Sequence, residues 1–276
     1  MNIYINPLIV VCCFTALIHF TETIASSMRL TGVRTKQLAL SLSFVNASLL
    51  ISRMSNMLQA PLLGGMVDTA ILQNTVSLLW SNFRIIIFAA FIGNLAGAIL
   101  TPFAVSVFTR AIRKFDQIGH VPGLIAYGMR PSTLISVART FRLPTLDSFK
   151  GLSLKGVPTL FLWLNLFMVS IYAIGVLCSL MAGALIPTYR VTATQLSGIV
   201  NGIATILFTL MVDPIAAHIT DQATRGQRKE SDVRTVVFYI VLGRVVGTLI
   251  FSQLLFLPGT QYIKGVTLFV RGVFLR

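Results

Sequence analysis

The sequence predicts an all-α fold, a polytopic transmembrane helix bundle of about six spans, and three observations carry that expectation. Of the 276 residues, 55% are hydrophobic and only 11% charged, with a mean hydropathy of +0.84, which is more apolar than a water-facing globular surface tolerates. The apolar residues fall in continuous runs, each long enough for the roughly 20-residue helix that crosses about 30 Å of hydrocarbon. The runs also lack the period-two alternation of a membrane β-barrel, which leaves helices as the way to satisfy the backbone in lipid. The same observations exclude a soluble enzyme.

The runs lie at roughly 3–21, 37–58, 84–108, 158–183, 193–217 and 235–257. No basic segment precedes the first run, so it is expected to be a retained span, with cleavage near Thr23-Ile24-Ala25 as the alternative. Residues 54–82 are weakly polar and contain Pro61 and Gly64-Gly65, leaving room for an extra broken or re-entrant helix. The polar stretch 109–157 carries Arg110, Arg113, Lys114, Arg130, Arg139, Arg142, Lys150 and Lys155 against Asp116 and Asp147. Its prolines, Pro122, Pro131 and Pro144, predict short interfacial helices and turns. One integral membrane domain, 1–276, is thereby divided into a first half (1–108), a basic connection (109–157) and a second half (158–276).

The net charge is +14, from 22 Lys and Arg against 8 Asp and Glu. These charges sit between apolar runs, as in the cytoplasmic loops of membrane proteins, so a nucleic-acid partner is not expected. Placing 109–157 inside also puts Arg29, Arg34 and Lys36 inside, together with Arg225, Arg228, Lys229 and Arg234. Both termini are then outside, against which Lys264, Arg271 and Arg276 weigh mildly. Cys12, Cys13 and Cys178 fall inside apolar runs without metal-ligand spacing, and no metal or cofactor is implied. The halves share faint landmarks: Gln37-Leu38 and Gln195-Leu196, Val45-Asn46 and Val200-Asn201, and a proline before an aspartate at Pro61/Asp68 and Pro214/Asp221. A true repeat of this kind implies two inverted three-helix units that rock about a midplane transport site.

An ionised group within hydrocarbon costs about 2.5 to 3.5 kcal/mol unless it has a partner or a wet cavity. His19, Glu22, Arg53, Asp213, His218 and Arg244 lie inside or at the edge of the runs, while Arg29, Arg34 and Asp68 flank their ends. Terminal members can snorkel, and the interior ones can form structural ion pairs. Alternatively, Arg53 and Arg244 build a cavity for an anion, since guanidinium forks match phosphate oxygens. The second run adds Ser52, Asn56 and Gln59, too polar to face lipid alone. Gly93, Asn94, Gly97, Gly175 and Gly183 suit helix packing. With no Walker loop, HExxH, GxSxG or CxxC present, transport is the better reading. The rival is an intramembrane enzyme acting on a prenyl-phosphate lipid through Glu22, Asp68 or Asp213.

The block IHFTETIASSMRLTGVRTKQLALSLSFVNASLLISRMSNMLQAPLLGGMVD, residues 18–68, resembles the Amj family of alternate lipid II flippases of the bacterial inner membrane. His19, Glu22, Arg29, Gly32, Arg34, Arg53, Asn56, Gln59, Pro61 and Asp68 give the block its character, with MVDPIAAHITD at 211–221 as further support. The resemblance implies movement of lipid II, the undecaprenyl-pyrophosphate-linked disaccharide pentapeptide, from the cytoplasmic to the outer leaflet for peptidoglycan synthesis. It assigns no residue roles, so those rest on membrane electrostatics. Arg53, helped by Arg29, Arg34 and Arg244, is expected to hold the pyrophosphate, with Ser52, Asn56 and Gln59 touching the headgroup. Glu22, His19, Asp68, Asp213 and His218 are expected to couple or pair charge, Asp213 with one of the interior arginines when substrate is absent. The prenyl tail stays among membrane lipid, and a homo-oligomer is left open.

Overall fold

The computed structural model describes residues 6–153 and 157–274. Lys155, Arg276 and the side chain of Asp147 fall outside them. Twelve α-helices follow in order: α1 (Pro7–Ser26), α2 (Met28–Thr35), α3 (Leu38–Leu72), α4 (Val76–Ile118), α5 (Val121–Gly128), α6 (Pro131–Ala138), α7 (Leu146–Phe149), α8 (Thr159–Leu185), α9 (Arg190–Leu207), α10 (Asp213–Thr224), α11 (Glu230–Val246) and α12 (Ser252–Phe274). Two π-helical stretches, Phe208–Val212 and Gly247–Phe251, join α9 to α10 and α11 to α12. Among the described residues six helical rods are long and apolar enough to cross a membrane, and the protein is an all-α, multi-pass membrane bundle.

The extra broken helix in 54–82 is absent. Helix α3 runs unbroken through Pro61, whose ring lies on an exposed face, and the chain turns only at 73–75. The expected 22–36 loop is largely helix too. Ser26 and Ser27 donate to the Thr23 and Ile24 carbonyls at 2.6 Å each, which turns the chain from α1 directly into α2. Residues 109–118, expected in the polar connection, instead continue α4, and from 119 to 153 the chain forms the short helices and turns that its prolines suggest; α5 and α6 have no buried residue.

Lipid tails are as apolar as leucine, so helix association in a membrane depends on close packing more than on burial. Two glycine pairs at four-residue spacing provide it. A Cβ at Gly93 would overlap the Ala16 carbonyl, and one at Gly97 would come within 2.8 Å of Thr23, so α4 and α1 approach backbone to backbone. Gly243 of α11 and Gly247 of the following π stretch make room for the side chains of Asn165 and Ser170 of α8.

The apolar interior forms two clusters separated along the rods. One holds Val11, Leu63, Phe83, Met181 and Phe256; the other holds Phe161, Val212, Ile219, Val236 and Ile240. Each draws residues from both halves of the chain. Between them lies a polar belt containing Asn94 of α4, Asn165 and Ser170 of α8, and Arg244 and Thr248 of α11 and its π extension. One end of the bundle gathers the basic segments. There Arg34 meets Glu230 at 2.7 Å, Gln37 donates to Asp116 at 2.7 Å, and Arg110 donates to the Ser136 carbonyl at 3.1 Å.

Candidate functional site

The polar belt opens into a cavity of about 280 Å³ between α3 and α9, floored by α8 and α11. Its position along the rods follows from α8, a 27-residue helix with Tyr172 of the cavity wall at its midpoint. At about 1.5 Å per residue, that puts the cavity about 20 Å from either end of the span. On α3, Leu49, Ser52, Arg53 and Asn56 recur at helical spacing, so one stripe of the helix faces the cavity.

The charges around it are unequal. Glu22 and Arg244 are an ion pair at 2.9 Å, with side chains only 10% and 15% exposed. Glu22 also accepts a hydrogen bond from Ser52 at 3.0 Å. Behind the pair, the buried Asn94 amide donates to the Arg244 carbonyl at 3.2 Å and to Thr248 at 3.1 Å, and accepts from Thr23 at 2.7 Å. Asn94 thus ties α1, α4 and α11 together at the depth of the ion pair. His19 is buried beside it, with Nδ1 at 3.5 Å from the Asn94 amide. Gln59 accepts from Thr15 at 2.9 Å and donates to Asn56 at 3.1 Å, which orients Asn56 at the wall. Arg53, by contrast, makes no hydrogen bond or ion pair among the described residues, and its side chain is open to the cavity.

The structure therefore brings together Glu22, Ser52, Arg53, Asn56 and Arg244, with Gln59 and His19 just behind. It separates the others. Arg29 is bound to Asp213 at 2.6 Å, Arg34 to Glu230 at the basic end, and Asp68 to Arg190 at 2.7 Å at the opposite end. His218 is exposed on α10, with Nε2 at 3.0 Å from the Gln222 side-chain nitrogen. The pairing expected between Asp213 and an interior arginine is corrected: the π stretch 208–212 carries Asp213 past the cavity to face α2, and Glu22 takes Arg244 instead. Tyr172 and Thr205 of the wall went unsingled in the sequence. A tyrosine hydroxyl halfway along the run, close to Asn165 and Ser170, was the available signal for Tyr172.

A second, apolar cavity of about 240 Å³ adjoins the first and shares Met168 and Ala204 with it. Ile199, Ile203, Leu207 and Val266 line it along α9 and α12. An open cation next to an apolar groove can accommodate an amphiphile with an anionic head. Among the described residues no His, Cys, Asp and Glu gather into a metal site.

The family model described as "Amj: Alternate to MurJ" matches residues 14–267. The chain is 35% identical over 268 residues to "Lipid II flippase Amj" of Bacillus subtilis (strain 168), an overlap covering 97% of this chain and 99% of that protein. No solved structure matches the chain.

Proposed function

Since the chain belongs to the Amj family, we propose that it flips lipid II by seating the diphosphate of that lipid on Arg53. The observation that carries this reading is the Arg53 guanidinium, open to the mid-depth cavity and without a hydrogen bond or ion pair among the described residues. Leaving a charge there uncompensated is costly in hydrocarbon and is retained where it faces water or a ligand. A diphosphate neutralises Arg53 through charge-assisted hydrogen bonds, while Asn56 and the Tyr172 hydroxyl supply further polar contacts. The Glu22–Arg244 pair holds the wall in shape and contributes no net charge. The apolar groove takes the first isoprene units, and the rest of the tail remains in the bilayer.

The cavity has room for a diphosphate but not for a disaccharide pentapeptide, so α3 and α9 part to let the headgroup through. The basic end faces the cytoplasm, in line with the positive-inside rule, and the protein lies in the bacterial inner membrane. In cells deprived of their other lipid II flippase, the wild-type gene is expected to restore growth, whereas Arg53→Ala and Arg53→Gln are not, at equal protein levels. Growth of both variants at the wild-type rate overturns the role of Arg53. Recovery of chemically altered lipid from purified protein would favour the intramembrane enzyme instead.

A further inference from the structure

A third cavity, of about 670 Å³, lies at the basic end of the bundle, away from Arg53. Four arginines line it: Arg34 from the last turn of α2, Arg110 and Arg113 from α4, and Arg142 from the segment after α6. Ser106, Thr109, Arg110 and Arg113 recur at helical spacing, so α4 presents one polar face to the cavity. The carboxylate in the wall is Glu230, and Arg34 already holds it through two N–H groups at 2.7 and 2.9 Å. Arg110 uses one donor on the Ser136 carbonyl. Arg113 and Arg142 have no hydrogen bond or ion pair among the described residues, and the nearby acid Asp116 is engaged by Gln37.

A concave wall with surplus guanidinium groups concentrates anions, and each fork offers two donors to one phosphoryl group. Two unengaged forks on different elements match a ligand with two phosphoryl groups better than one with a single group. The setting points to a lipid. Helices α5 and α6 and the turn between them, next to the cavity, expose Ile125 (57%), Met129 (72%), Leu134 (56%) and Ile135 (55%), an apolar surface beside a cationic one that suits the headgroup level of a membrane.

We infer that this four-arginine cavity is a loading site that captures the diphosphate of the lipid cargo at the membrane surface before it reaches Arg53, an inference that rests on the flippase reading. From Arg34 of this cavity the cargo would pass along α2 and α1 by Arg29 and the Glu22–Arg244 pair on the way to Arg53.

The test uses the full-length protein in phosphatidylcholine nanodiscs, titrated with inorganic pyrophosphate. Wild type should show two pyrophosphate sites, of which Arg53→Gln loses the one at mid-depth and keeps the one at the basic end, whereas in the double variant R113Q/R142Q the basic-end site should bind about tenfold or more weakly than in wild type, having lost two charge-assisted contacts. R113K/R142K, which keeps the charge but loses the forks, should fall between them and serves if the glutamine variant fails to fold. Undecaprenyl diphosphate added to the nanodiscs should displace pyrophosphate at levels where phosphatidylglycerol does not. Both sites undiminished in R113Q/R142Q, both sites lost in Arg53→Gln, or equal displacement by phosphatidylglycerol overturns the loading site. The flippase reading fails separately, if Arg53→Gln transports lipid II normally.

Discussion

Glu22 accepts from Arg244 on one oxygen and from Ser52 on the other, and the ion pair is largely shielded from solvent. Removing one partner of such a pair strands the other charge, at a cost of about 3 to 5 kcal/mol. Glu22→Ala is therefore expected to lower the unfolding stability of the detergent-purified protein by that order, and Glu22→Ala/Arg244→Ala to recover much of the loss. A Glu22→Ala protein as stable as wild type would show that the pair is not structural. That Glu22, Arg53 and Arg244 needed a reason was legible in the sequence, because each interrupts or ends an apolar run. Which carboxylate meets which arginine was not. Asp213 goes to Arg29 because a π turn precedes it, and no residue pattern in Phe208–Val212 announces that turn. Nor could the sequence tell Arg53, open to the cavity, from Arg244, whose partner lies more than 200 positions away.

At the scale of elements, the small residues set how near the helices come. Replacing Gly93 by Leu would force α4 off the Ala16 backbone and pull Asn94 away from Thr23 and Thr248. Gly93→Leu is expected to give little monodisperse protein on size-exclusion chromatography. Gly198→Leu, at a position with nothing near its Cβ, should behave like wild type; equal yields from both would contradict close α1–α4 packing. The centres of the six spans were legible because hydropathy marks hydrocarbon. Their lengths were not, since a helix continues beyond the bilayer wherever its polar residues still favour it. Thus α4 carries Arg110, Arg113 and Lys114 on to Ile118, and the last rod reaches Phe274. The landmarks of the suggested repeat fall in unlike settings: Pro61 is inside an unbroken α3, whereas Pro214 follows directly on a π stretch.

For the whole molecule, a polar belt at mid-depth lies between two apolar clusters, and both clusters mix residues from the first and second halves. Rocking of the halves as rigid bodies would tear both clusters. Opening between α3 and α9 at the cavity leaves the second cluster untouched, since neither helix gives it a buried residue, and hinges on the first, where Leu63 of α3 and Leu196 of α9 belong to one cluster and Asp68 holds Arg190. The account then hangs on a charge that moves a diphosphate across the belt. It is tested most directly by labelling outer-leaflet lipid II in cells in which this protein is the sole flippase. Arg53→Gln should reduce the exposed lipid about tenfold or more, from the loss of charge-assisted hydrogen bonds, while Arg53→Lys retains part of the wild-type level and all three proteins accumulate equally. Wild-type exposure of lipid II by Arg53→Gln would contradict it.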